Sequence, residues 1–191
     1  MGSMEKRALR ADSERTAQAI LEAAERVLSD NPAATMEQIA EAAGVSRTTV
    51  HRRFASRDAL VDAMTLWATQ QFHDALASVR PDVTPPLVAL YQVTAKVLSV
   101  KLRWGFAMNA HPAEDGVLTP DVVAQCDVFF RRLEESGALR PGVDLVWARR
   151  VYCALIHEAA QDQDSADPDV LATRVVDTVL GGFGKPGVTI S

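Results

Sequence analysis

Residues 35–57, TMEQIAEAAGVSRTTVHRRFASR, decide how this chain is read. They describe two short helices joined by a tight turn at Gly44. Thr35 opens the first with Gln38 three residues on, the spacing of a capping box. Met36, Ile39, Ala40 and Ala43 make its inward face. Gly44 can take a left-handed conformation at little steric cost. Ser46 caps the second helix, in which Val50 and Phe54 point to a core. Ala40 lets the two helices approach, and Val50 anchors the second from below. Arg47, Thr48, Thr49, His51 and Arg52 are then free to face outward. The first residues of such a helix can meet base edges in the major groove. Arginine suits guanine there, and threonine can meet a thymine methyl.

An isolated Ala-x3-Gly-x5-Val pattern also fits an ordinary helical hairpin with a solvated basic face. Two flanking features favour the DNA reading. A preceding helix ends a few residues before Thr35, and Phe54-x2-Arg57 leads into another. Charge points the same way once it is divided along the chain. The net charge is −5. Residues 1–60 hold nine Lys/Arg and nine Asp/Glu, so the whole excess of acid lies beyond them. Between Glu41 and Asp58 stand four arginines and no acid. A local basic patch in an acidic chain is the footprint expected of a surface that meets phosphates.

The pattern elsewhere is also helical. Ala17, Ile20, Leu21, Ala24, Val27 and Leu28 recur at three- and four-residue spacing, one stripe on a helix from Ser13 to Asp30. Asn31-Pro32 ends it. Ser56 caps a long helix to about Val79. Further helices are expected at about 86–100, 101–110, 119–136, 143–162 and 168–183, separated by prolines and glycines. No hairpin-type turn lies between alternating runs, so the predicted class is all-α, with about nine helices. Met1-Gly2-Ser3 reads as a leftover of expression before a natural start at Met4. No signal peptide and no apolar run near the roughly 20 residues of a membrane span is visible, so a cytoplasmic, nucleoid-associated protein is expected.

At residues 15–64 the chain resembles the TetR (tetracycline-repressor-like) family of bacterial transcriptional regulators. The resemblance is carried by the helix 17–30, the stretch TMEQIAEAAGVS, the helix RTTVHRRF and then SRDAL at 56–60. It implies that Thr35 and Arg57 contact phosphates, with His51 standing where the family usually has Tyr and Thr48 where it often has Gly. The expected DNA-binding residues are therefore Thr35, Ser46, Arg47, Thr48, Thr49, His51, Arg52, Arg53 and Arg57. Lys6, Arg7 and Arg10, placed before the first helix, read as a solvated tail or as an arm reaching the minor groove.

The resemblance further implies a C-terminal domain that binds a small ligand and dimerises. The expected division is a helix-turn-helix domain over 13–60 and a ligand-binding and dimerisation domain over 61–187. Helices 143–162 and 168–183 are nearly apolar along one side. A subunit interface is expected at Leu155, Ala159, Val175, Val176, Val179, Leu180 and Phe183, although both helices could simply cover their own core. Most aromatics fall on the middle helices. A pocket lined by Trp67, Tyr91, Trp104, Met108, His111, Phe129, Phe130 and Trp147 would suit a lipophilic or aromatic effector. Core packing is the competing reading for each of these side chains taken singly.

Cys126 and Cys153 read as buried free thiols, with a redox sensor as the alternative. The four histidines lack metal-ligand spacing, and His157-Glu158 has no second ligand after it, so no metal or other cofactor is expected. No nucleophile stands with a base, so the chain is not read as an enzyme. The leading expectation is a homodimeric regulator of transcription, a repressor of a (pseudo)palindromic operator that a small molecule releases. A helical small-molecule-binding or scaffold protein without sequence-specific DNA recognition is the second reading.

Overall fold

A computed structural model describes residues 2–80, 83–110, 120–161 and 167–184. Within them the chain forms nine α-helices and no strand. They are α1 (Gly2–Asp30), α2 (Met36–Ala42), α3 (Arg47–Arg53), α4 (Arg57–Val79), α5 (Pro86–Arg103), α6 (Gly105–Ala110), α7 (Pro120–Glu135), α8 (Leu145–Ala159) and α9 (Pro168–Phe183). The all-α class follows the helical periodicity. None of these helices is long and apolar enough to cross a membrane.

One expectation needs correcting. Lys6, Arg7 and Arg10 do not precede the first helix; they lie within α1, which begins at Gly2. From Ser3 to Ser29 no proline or glycine interrupts the chain, and alanine, glutamate, arginine and leucine dominate it. Those residues hold helical backbone well, so the helix extends past the apolar stripe that first marked it.

The chain divides into two compact units. The first comprises Met1–Ala68 with Trp104–His111. In it α1 packs on α2 and on α6, and α2 packs on α3. Ile20, Ala24, Leu28, Ile39, Val50, Leu60 and Met64 are fully buried there. Asn31-Pro32 does end α1, and the side chain of Asn31 accepts the N–H of Ala33 at 3.1 Å.

The second unit comprises Thr69–Arg103 and Pro112–Ser191. In it α9 packs chiefly on α5, and α8 lies against α7 and α9. Asp144 caps α8 by accepting the N–H of Trp147, and Asp167 caps α9 with Pro168 at its first position. Proline suits that place because its missing N–H would have no helical partner anyway. Thr94 is completely buried, yet its hydroxyl donates to the Leu90 carbonyl at 2.6 Å. That leaves the Tyr152 hydroxyl to donate to Thr94 Oγ1, 2.9 Å away. Phe130 packs against the Tyr152 ring, with centroids 5.5 Å apart, and meets Phe129 edge-on.

Candidate nucleic-acid interface

The turn between α2 and α3 is built by local backbone chemistry. Thr35 accepts the N–H of Gln38, and the Gln38 side chain accepts the N–H of Thr35, which completes the capping box. At the other end of α2, Gly44 has φ +67°. Its N–H reaches the Glu41 carbonyl at 3.0 Å, and the N–H of Val45 reaches the Ala40 carbonyl at 3.0 Å. These two bonds are a Schellman closure, which satisfies carbonyls that the helix end would otherwise leave open. Ser46 then caps α3 by accepting the N–H of Thr49 at 3.1 Å. Buried Ala40 and Val50 fix α3 on α2.

That packing leaves Arg47, Thr48, His51 and Arg52 exposed, while Thr49 and Arg53 are part-covered. Thr35 and Ser46, the two caps, are exposed as well. Of the side chains that the sequence nominated as base readers, Arg47, Thr48 and Arg52 thus lie on the outer face of α3, and Thr49 is part-covered beside them. Their apolar counterparts, Val50 and Phe54, are buried.

Two arginines do more inside the fold than their sequence reading supposed. Arg57 opens α4, and its guanidinium donates to the carbonyls of Ala34, at 2.7 Å, and Pro32. Arg53 donates to the Ser13 hydroxyl on α1. Each retains further N–H groups, because a guanidinium carries five. Arg47 is engaged by Glu37 of α2, its Nε lying 2.7 Å from Oε1, with His51 Nε2 a longer contact at 3.4 Å. The carboxyl of Glu37 is held below the ordinary value, chiefly by its own backbone N–H, with the Thr35 hydroxyl and the Arg47 charge adding to that.

Sequence reasoning missed Glu37 and Glu25. Nothing in the spacing marks Glu37, whose partner stands on the next helix. Glu25 left a signal, since it falls on the apolar stripe between Leu21 and Leu28. It is 4% exposed. Its two carboxylate oxygens accept the N–H groups of Phe106 at 2.6 Å and Ala107 at 3.0 Å, at the start of α6. Thr65 of α4 donates to the Ala107 carbonyl at 3.1 Å.

The residues nominated for a ligand pocket fall in both units. Trp104 and Met108 are buried in the first unit, where Trp67 is part-exposed. In the second, Phe129 and Phe130 are buried, and half-covered Tyr91 donates to Asp169 at 3.1 Å. Trp147, at the start of α8, is 54% exposed. His111 lies outside the described residues. Of the residues nominated for a subunit interface, Val175, Val176, Val179 and Leu180 are buried within the chain. Leu155, Ala159 and Phe183 remain part-exposed. Leu155, Glu158, Ala159 and Gln161 of the α8 side line an open groove of about 400 Å³ with Arg174, Val175 and Thr178 of α9.

Cys126 and Cys153 are unpaired thiols. Burial pushes Cys126 up to about 12 and raises Cys153 too. Among the described residues no group of three or more His, Cys, Asp or Glu side chains is placed to hold a metal ion.

Comparison with known proteins agrees with this geometry. Residues 20–64 match the family described as bacterial regulatory proteins, tetR family. The chain is 34% identical over 157 residues to the HTH-type transcriptional repressor LfrR of Mycolicibacterium smegmatis, covering 78% of this chain and 81% of LfrR. A crystal structure of LfrR in complex with proflavine superposes with a TM-score of 0.61 at 28% identity, over 93% of this chain and 99% of that one. NalD of Pseudomonas aeruginosa, described as the secondary repressor of the MexAB-OprM multidrug efflux pump, gives a TM-score of 0.59 at 25% identity, over 93% and 100%. With its α2–turn–α3 reader and this degree of identity, the chain belongs to the TetR family. It is a DNA-binding transcriptional regulator, and the family is not one of enzymes.

Proposed function

We propose that the protein is a homodimeric repressor that binds a (pseudo)palindromic operator and leaves it when a small effector binds. The observation that carries this reading is the outward face of α3, where Arg47, Thr48, His51 and Arg52 stand together above a buried Val50. One short helix rarely supplies enough contacts for a specific site. Two copies related by two-fold symmetry would place their readers about one DNA turn apart, roughly 34–36 Å.

In this reading 13–60 form the DNA-binding domain and 61–187 the ligand-binding and dimerisation domain. Arg47, Thr48, Thr49 and Arg52 read bases. Thr35, His51 and Arg57 contact phosphates, with Ser46 and Arg53 beside them on the DNA-facing surface. The groove beside Leu155 and Ala159 supports a contact between subunits along α8 and α9. Val175, Val176, Val179 and Leu180 back that contact from inside the chain. The effector is lipophilic or aromatic. The crystallised complex of LfrR with proflavine supports a small-molecule effector. An effector releases DNA only if it binds the DNA-incompetent arrangement more tightly than the competent one.

Selection from random duplex DNA, followed by footprinting and light scattering, tests the proposal. A palindromic site protected by a dimer is the expected result. Only non-specific, salt-labile binding by a monomer would overturn it.

A further inference from the structure

The reader helix is held by a residue outside it. Arg47 is the first residue of α3, the position closest to base edges in a docked reader. Its Nε is taken by the Glu37 carboxylate at 2.7 Å, across the turn on α2. The Arg47 side chain is nevertheless 66% exposed. One edge of the guanidinium is therefore tethered while the rest faces outward. A guanidinium bound through Nε keeps its two terminal nitrogens free, and those nitrogens form the fork that meets guanine O6 and N7. Glu37 lies in the first turn of a helix fixed by the Thr35–Gln38 capping box, so the tether itself has a rigid base.

We propose that Glu37 is a specificity-positioning residue: it fixes the rotamer of Arg47 so that the terminal fork is presented to a guanine in the major groove. The inference rests on the reading of Arg47 as a base reader. It assigns Glu37 two effects of opposite sign. The carboxylate sharpens discrimination by restricting the arginine, because a pre-oriented group loses less freedom on contact. The same negative charge, carried beside the DNA surface, weakens attraction to any phosphate backbone.

The test uses the full-length protein and the duplex recovered by random-sequence selection. Fluorescence anisotropy measures binding to that site, to each single-base variant and to an unrelated duplex. Proteins compared are the wild type, Glu37→Gln, Arg47→Ala and the double variant. Glu37→Gln is expected to reduce preference at the base pair read by Arg47 by roughly tenfold, the lower part of what a bidentate contact discriminates. Binding to the unrelated duplex should hold or strengthen. In the Arg47→Ala background the Glu37 substitution should no longer affect preference. If Arg47→Ala flattens one base pair and Glu37→Gln leaves it sharp, the positioning role is overturned and the base-reader assignment stands. If Arg47→Ala leaves every preference intact, the base-reader assignment itself fails and the positioning role falls with it. Glu37 is exposed and outside the core, so unchanged thermal unfolding of Glu37→Gln separates these outcomes from misfolding.

Discussion

Glu25 on α1 accepts the backbone N–H of Phe106 on α6 at 2.6 Å, from a side chain almost wholly withdrawn from solvent. Burial raises its pKa above the ordinary carboxylate value, and the Ala107, Phe106 and Ser29 hydrogen bonds offset part of that rise. A raised folded pKa means that the folded chain holds the proton more tightly than the unfolded one. The stabilisation linked to this group is thus complete below about 4.5 and declines as pH rises through the folded value. Relative to Glu25→Gln, the wild type should lose stability as pH climbs from 4.5 toward neutrality. Chemical denaturation across that range checks the sign. Glu25→Ala, which strands two N–H groups, should cost about 1–3 kcal/mol, with the larger cost at low pH.

Arg57 ties the start of α4 to the Pro32–Ala34 loop that leads into the capping box. Arg57→Ala should weaken binding to all DNA sequences alike, because it removes a cation without touching a base. A loss of about 1 kcal/mol in stability should accompany it. A changed base preference in a selection experiment would contradict this role.

At Gly44 an added Cβ would meet no atom within 4 Å, so crowding is not what demands glycine. The demand is torsional, since φ is +67°. Gly44→Ala should therefore cost about 1–2 kcal/mol without disturbing the packing around it. Gly44→Asn should cost less, as asparagine tolerates this conformation. Thermal unfolding of the two variants gives the comparison.

Tyr152→Phe removes the hydroxyl that donates to Thr94, but Thr94 keeps its own bond to the Leu90 carbonyl. The expected cost is about 1 kcal/mol, smaller than for a stranded buried donor. A double-mutant cycle with Thr94→Val should show coupling between the two positions.

The thiols of Cys126 and Cys153 are both shifted away from the reactive thiolate form, Cys126 to about 12. Alkylation by iodoacetamide at pH 8 should be slower than for a free cysteine. Rapid labelling that also abolished DNA binding would revive the redox-sensor reading.

The helices were legible because apolar spacing is a local property, and so was the turn, since Gly44 and the Thr35–Gln38 pair act within a few residues of themselves. The outward face of α3 followed from Val50 alone: once it is buried, its neighbours' directions are fixed. Partnerships between distant residues were not legible. The resemblance reads Arg57 as a phosphate contact and gives no sign that its donors meet carbonyls more than twenty positions earlier. Glu37 and Arg47 meet only because the turn folds α2 onto α3. The apolar stripe of α9 announced burial, and within the chain α9 packs chiefly on α5. The start of α1 was missed because polar helix formers leave no periodic apolar mark.

The first compact unit is discontinuous in sequence: α6 belongs with α1 and α2, although the chain reaches it only after α5. A fragment cut after Ala68 would carry every nominated DNA contact and still be incomplete. It would leave the Glu25 carboxylate without its two N–H partners and uncover apolar surface of α1. The reader is therefore not an interchangeable cassette. A chimera that grafts residues 1–68 onto another regulator inherits a foreign α6, and its success will depend on whether that helix can still present two backbone N–H groups to Glu25.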